Sequence, residues 1–226
     1  AESLSLSRES GDLMGTAAAQ AVLGLVARGE GDTAQAEMLL TESVRQLRAL
    51  GDQVRTALVL QNLGLVLRDR REYERAQAIF EETLGVFQSL GDRWGLAFSQ
   101  SNLGILAWER GMFPEATALF GESLVLRHEL GDRRGVGISL VGLAAVALRQ
   151  GDLRRSAILF GAAEALRDAL KVPPPPFIRD DYERLIGELK AALPPSDFAP
   201  AWAEGRSMKL ADTVTFALSA GAGARA

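Results

Sequence analysis

The chain contains no cysteine, which removes disulfides and thiolate metal sites and suits a cytosolic setting. Its one histidine, His128, stands between Arg127 and Glu129 without a triad or metal partner, and reads as a surface or interface residue. Aromatics are few, while Ala, Leu and Gly are many, a balance that favours close helix–helix contact over a sheet core. No Lys/Arg stripe is present and the net charge is −4, so the electrostatic footprint of direct nucleic-acid binding is missing. The longest nearly unbroken apolar run, Ile138 to Leu148, is too short to span a bilayer, and residues 1–10 lack the order of a signal peptide. There is no GxxxxGK[ST] phosphate loop. The carboxylate pairs Glu81-Glu82 and Asp180-Asp181 read as solvated helix surface or compensation of a helix N-terminal dipole rather than as a cation site. The expectation is a cytoplasmic, non-enzymatic chain with no cofactor, no metal and no membrane contact.

What the chain does have is a period. Gly-Asp recurs at Gly11-Asp12, Gly51-Asp52, Gly91-Asp92 and Gly131-Asp132, each 40 residues after the last. Leu23, Leu63, Leu103 and Leu143 coincide in this register. So do Gly24, Gly64 and Gly104 (with Ala144), Ala36, Ala76 and Ala116 (with Ser156), and Leu40, Phe80, Phe120 and Phe160. Such self-similarity means stacked units, each too small to bury its own apolar face. The length allows one solenoid or two small domains. Each block reads as two antiparallel helices. Gly supplies the left-handed residue that ends one helix, and Asp accepts from the free N–H groups of the next.

Four copies are expected at 11–50, 51–90, 91–130 and 131–170. Residues 1–10 read as the end of a preceding repeat helix, because Glu2-Ser3-Leu4 aligns with Glu122-Ser123-Leu124. A Pro-rich connector follows at 171–176, then capping helices over 177–218 and a flexible tail at 219–226. Within the cap, Ser196 is expected to start a helix that Gly205 ends, with a last helix from Met208. Trp202, Phe198, Leu185 and Leu189 are expected to cover the apolar fourth first-helix, Gly137 to Leu148.

Leu60, Leu63-Gly64, Leu67, Ala76 and Phe80 occupy positions that resemble the tetratricopeptide repeat. The resemblance implies an all-α, right-handed superhelical solenoid of helix-turn-helix repeats with a helical C-terminal cap. The longer period, and the segments Leu159-Phe160-Gly161-Ala162-Ala163-Glu164 and Ala201-Trp202-Ala203-Glu204-Gly205-Arg206, resemble the C-terminus of large bacterial LuxR-type or signalling-ATPase transcriptional regulators. By that family's pattern the first helices line a concave groove. Its residues here are Leu58, Gln61, Asn62, Leu65 and Arg68, then Phe98, Ser101, Asn102, Ile105 and Trp108. Asn62 and Asn102 fall where the family grips a peptide backbone or carboxylate, while the basic clamp for a terminal carboxylate is not matched. The implied function is a sensor or protein-interaction module that takes a peptide, a protein segment or a small effector. The alternative is a structural scaffold that packs on an ATPase domain or self-associates as a homodimer.

Overall fold

The computed structural model describes residues 12–171 and 176–219, the side chains of 176–181 apart. These residues form eleven helices and no strand. They are Leu13–Gly29 (α1), Thr33–Ala49 (α2), Gln53–Asp69 (α3), Tyr73–Leu90 (α4), Arg93–Glu109 (α5), Phe113–Glu129 (α6), Arg133–Arg149 (α7) and Leu153–Leu170 (α8). Pro176–Ala192 (α9), Pro195–Ser207 (α10) and Leu210–Leu218 (α11) follow. The starts of α1, α3, α5 and α7 lie 40 residues apart, as do their ends. The chain divides into two compact units at Leu106–Ala107, inside α5.

The corners work as their residues dictate. Gly51, Gly91 and Gly131 hold φ of 72°, 67° and 70°, a region that costs an ordinary side chain free energy. The Asp that follows turns its carboxylate onto the next helix. Asp52 Oδ1 accepts from Arg55 N at 2.9 Å, and Asp132 Oδ1 from Gly135 N at 2.8 Å. Two half-way corners repeat the device, with Asp32 accepting from Gln35 N and Asp152 from Arg155 N, while Glu72 and Met112 at the other two make no side-chain cap bond. Each such cap stabilises its helix by about 1 kcal/mol.

In the first unit, a second helix seats its large side chain against glycine on the first. A Cβ on Gly64 would lie 2.6 Å from Phe80 Cε1, and one on Gly24 2.7 Å from Leu40 Cγ. Successive repeats join the same way, with the Phe87 ring lying flat against Gly95. Beside it Thr83 Oγ1 and Ser99 Oγ share a buried hydrogen bond of 3.1 Å.

In the second unit, Phe120 lies against Gly142, and every α7 side chain from Leu143 to Leu148 is buried. The tail differs from expectation at Phe198 and Trp202, at Ser196, at Gly205 and at Met208, which is extended, the last helix starting at Leu210. Of the side chains expected over α7, Leu185 and Leu189 are buried on α9, the helix that reaches α7, whereas Phe198 and Trp202 are half-buried, stack on each other at 5.1 Å and lie on α10, which runs along α8. Ser196 caps nothing, since α10 begins at Pro195 after extended Pro194. Gly205 does not end the helix. It stays inside α10, facing the Ile158 carbonyl of α8, while Gly161 of α8 faces the Trp202 carbonyl. The two glycines let backbone meet backbone. Glu164 then accepts from Trp202 Nε1 at 2.9 Å and from Arg206, which also pairs with Asp168 at 3.0 Å. Helix α11 lies against α6 and α8, with Leu218 over Gly121. Arg155 holds its end by donating to the Ala217 and Ser219 carbonyls at 2.8 Å each.

Candidate functional site

Helices α3 and the first-unit part of α5 run side by side, joined by Gln61. Its Nε2 donates to Ser99 Oγ at 3.0 Å and reaches the Gly95 carbonyl at 3.4 Å. Gln61 is therefore a junction residue rather than a groove residue. One position along a helix is a turn of about 100°, and that step separates the junction from the open face.

The remaining expected groove residues divide by exposure. Leu58 and Phe98 are open to solvent, 47% and 37% exposed. They occupy the same register position on neighbouring first helices. Leu65, Ser101 and Asn102 are buried, so they line no open surface as sole contacts. Ile105 is half-buried. Arg68 is largely covered and pairs with Asp69 at 2.9 Å, which Arg28 also engages at 2.6 Å. That ion cluster occupies the Arg68 guanidinium.

The two asparagines behave differently. Asn62 Nδ2 donates to the Leu58 carbonyl, four residues back in its own helix, at 3.2 Å. Asn102 is 4% exposed, and its Nδ2 has no hydrogen-bond partner. A buried amide left unpaired costs about 1–3 kcal/mol. It lies one turn beyond Phe98 on α5.

Trp108 belongs to the second unit. The Arg149 guanidinium lies 5.7 Å from its ring centroid and donates to Glu188 at 2.6 Å. The Arg149 hydrogen bond holds the Glu188 carboxyl below its ordinary range. Trp108 is half-buried with its Nε1 unpartnered.

Two residues join the open face that the sequence reading omits. Val54 and Trp94, 45% and 55% exposed, stand one turn before Leu58 and Phe98. The four-residue spacing was the available signal. Val54, Leu58, Trp94 and Phe98 thus form an apolar strip across two adjacent helices.

Nothing here assembles chemistry. Among the described residues no group of three or more His, Asp or Glu side chains is placed to hold a metal ion. His128 is half-buried near the end of α6. Glu82 accepts from Arg48 and Glu81 from Gln77; the side chains of Asp180 and Asp181 lie outside the described residues. Among the described residues no helix is long and apolar enough to cross a membrane.

A ladder of helix hairpins that offers an open first-helix face is the architecture of a protein-interaction or scaffold module. The sequence profile described as tetratricopeptide repeat matches residues 15–89 and 53–127, and the chain belongs to that family. Among solved structures, the crystal structure of BtubC (BKLC) from P. vanneervenii is similar in fold. It has a TM-score of 0.62 and 21% identity over 73% of this chain and 68% of that one. No curated protein sequence matches.

Proposed function

We propose that the chain is a non-enzymatic interaction module that takes an extended, apolar peptide or protein segment on the strip of Val54, Leu58, Trp94 and Phe98. The observation that carries the reading is the coincidence of exposed Leu58 and Phe98 with the unpartnered amide of Asn102. The apolar pair supplies affinity when it is desolvated. The NH2 group supplies direction once the Asn102 side chain turns outward on binding, because a peptide carbonyl or carboxylate placed one turn beyond Phe98 would then accept its proton. Asn62, half-exposed and bound only to its own helix, is free to exchange that weak bond for a ligand's main chain.

The setting we propose is a cytoplasmic bacterial regulator of the LuxR-type or signalling-ATPase kind. The segments around Gly161 and Gly205 that carry this resemblance are the ones that dock α10 on α8. A small effector on the same strip is a variant of this reading. The scaffold alternative draws support from α7, buried along its length from Leu143 to Leu148.

A displayed library of random peptides selected against the whole chain tests the proposal. Selected peptides should carry apolar residues, and binding should fall at least about tenfold in Leu58→Ser and Phe98→Ser, the loss of one buried apolar contact. Asn102→Ala should weaken binding without loss of helicity. Peptides that bind all three variants as they bind the parent would refute the assigned strip.

A further inference from the structure

The strip of Val54, Leu58, Trp94 and Phe98 presents one polar side-chain atom, the indole N–H of Trp94. It donates and cannot accept. The main-chain carbonyls of α3 and α5 are spent within their own helices, and that of Leu58 accepts in addition from Asn62 Nδ2. An ordinary extended peptide carries an N–H at every residue. Those turned onto this strip would give up water and find no acceptor, which weakens binding. Proline has no N–H to strand. Its carbonyls remain, and the donors at hand suit them: the Trp94 indole, with the amides of Asn62 and Asn102 one turn beyond Leu58 and Phe98. None of these six residues is charged, so the strip asks for a neutral segment.

Spacing points the same way. Gln61 Nε2 on α3 reaches Ser99 Oγ on α5 at 3.0 Å, so the two helices are in direct contact. Helix axes in such contact lie about 8–10 Å apart. A polyproline II helix turns once in about three residues at about 3.1 Å each, so every third ring returns to one side after about 9.3 Å. Rings i and i+3 of a segment that crosses both helices therefore fall on successive first helices. A β-strand returns to one face after about 6.6 Å, short of that step. Along each helix Val54–Leu58 and Trp94–Phe98 are about 6 Å apart, which seats one pyrrolidine ring between the members of each pair.

We infer that the strip takes a proline-rich segment in the polyproline II conformation, laid across α3 and α5. The inference rests on the peptide-binding reading above and names the class of its ligand. Such a segment is extended before it binds, so association costs it little ordering, and the exposed faces of Trp94 and Phe98 receive its flat rings.

The test titrates the full chain into three fluorescein-labelled probes and reads anisotropy. The probes are hexaproline, triproline and a peptide of alternating valine and threonine as long as hexaproline. Hexaproline should bind at least about tenfold more tightly than either of the others, because triproline is too short to reach both helices. Leu58→Ser and Trp94→Ser should each weaken hexaproline by about tenfold or more, with helicity by circular dichroism unchanged. Met38→Ser, at an exposed position of α2, should bind as the parent does. A valine–threonine peptide or a triproline bound as tightly as hexaproline would overturn the inference, as would hexaproline bound alike by the parent and both strip variants. If hexaproline fails while selected peptides without proline still depend on Leu58 and Phe98, the proline ligand is refuted and the peptide-binding reading stands. If neither kind of peptide binds, both fall.

Discussion

Arg127 is the residue whose replacement tests the repeat logic most sharply. In the 40-residue register it stands where Leu47 and Phe87 stand, at the junction between one second helix and the next first helix. It is 7% exposed. Its Nη1 donates to Asp132 Oδ2 at 3.0 Å and its Nε to Ser123 Oγ at 3.0 Å. Burial pulls the guanidinium below its ordinary range, and the neighbouring Asp132 opposes that pull. Gly135 lies against the pair as Gly95 lies against the Phe87 ring. Removing one partner of a buried pair costs about 3–5 kcal/mol, while exchange for a well-packed apolar residue is neutral or favourable. The Phe87 site shows that such an exchange has room, because Asp92 there caps Gly95 N at 3.1 Å. Arg127→Ala should therefore lower stability by about 3–5 kcal/mol. Arg127→Phe should come back to within about 1 kcal/mol of the parent or exceed it, as a buried ring contributes roughly 1.5–3 kcal/mol. Urea unfolding followed by circular dichroism measures both. A phenylalanine variant as unstable as the alanine variant would show that the junctions are not interchangeable, and the register argument would fail.

Other outcomes follow from single contacts. Gly64→Leu should cost about 1–3 kcal/mol or more in thermal unfolding because Phe80 fills the space, whereas Gly85→Ala, with nothing within 4 Å, should gain about 0.5–1 kcal/mol. Asn102→Ala should leave stability within about 1 kcal/mol, since the lost amide has no partner to strand, and a larger loss would show a hidden structural bond. Gly205→Ala should dislodge α10, read as a change in tryptophan emission, because the Ile158 carbonyl is backbone and cannot rotate aside; Gly187→Ala on α9, with open space around it, should not. Glu188 has a depressed folded pKa, so its contribution is present above the unfolded carboxyl value and fades as pH falls through the lower folded one. Arg149→Ala should flatten that acid-side slope in a pH series of unfolding midpoints, and an unchanged slope would remove Glu188 from the account.

The helix corners were legible because their causes are local. A left-handed glycine and an aspartate cap act within four residues, and both leave a letter at a fixed place. The groove was legible only in part. Gln61 and Asn62 are adjacent polar letters, yet one ties α3 to α5 and the other faces outward. Telling them apart needs the helix phase to better than one residue, which an apolar pattern this broad does not provide. Val54 and Trp94 were missed for the opposite reason. They sit in the first turn, where exposed side chains are expected and spacing alone draws no attention.

The glycines show why the tail resisted the same reading. Corner glycines are chosen for backbone angle, and a neighbouring Asp announces them. Gly64, Gly95 and Gly142 are chosen for a ring that lies across them, and at Gly64 the aromatic partner and the period together identify the position. Gly161 and Gly205 are chosen for each other's helix, and their partners are carbonyls that every residue carries. No letter marks a carbonyl. Gly205 therefore read as a helix end, and only the crossing of α8 and α10 shows it to be a seat. By the same argument, the specificity of this cap resides in two absent side chains, with Glu164, Trp202 and Arg206 fixing the rotation once the backbones have met.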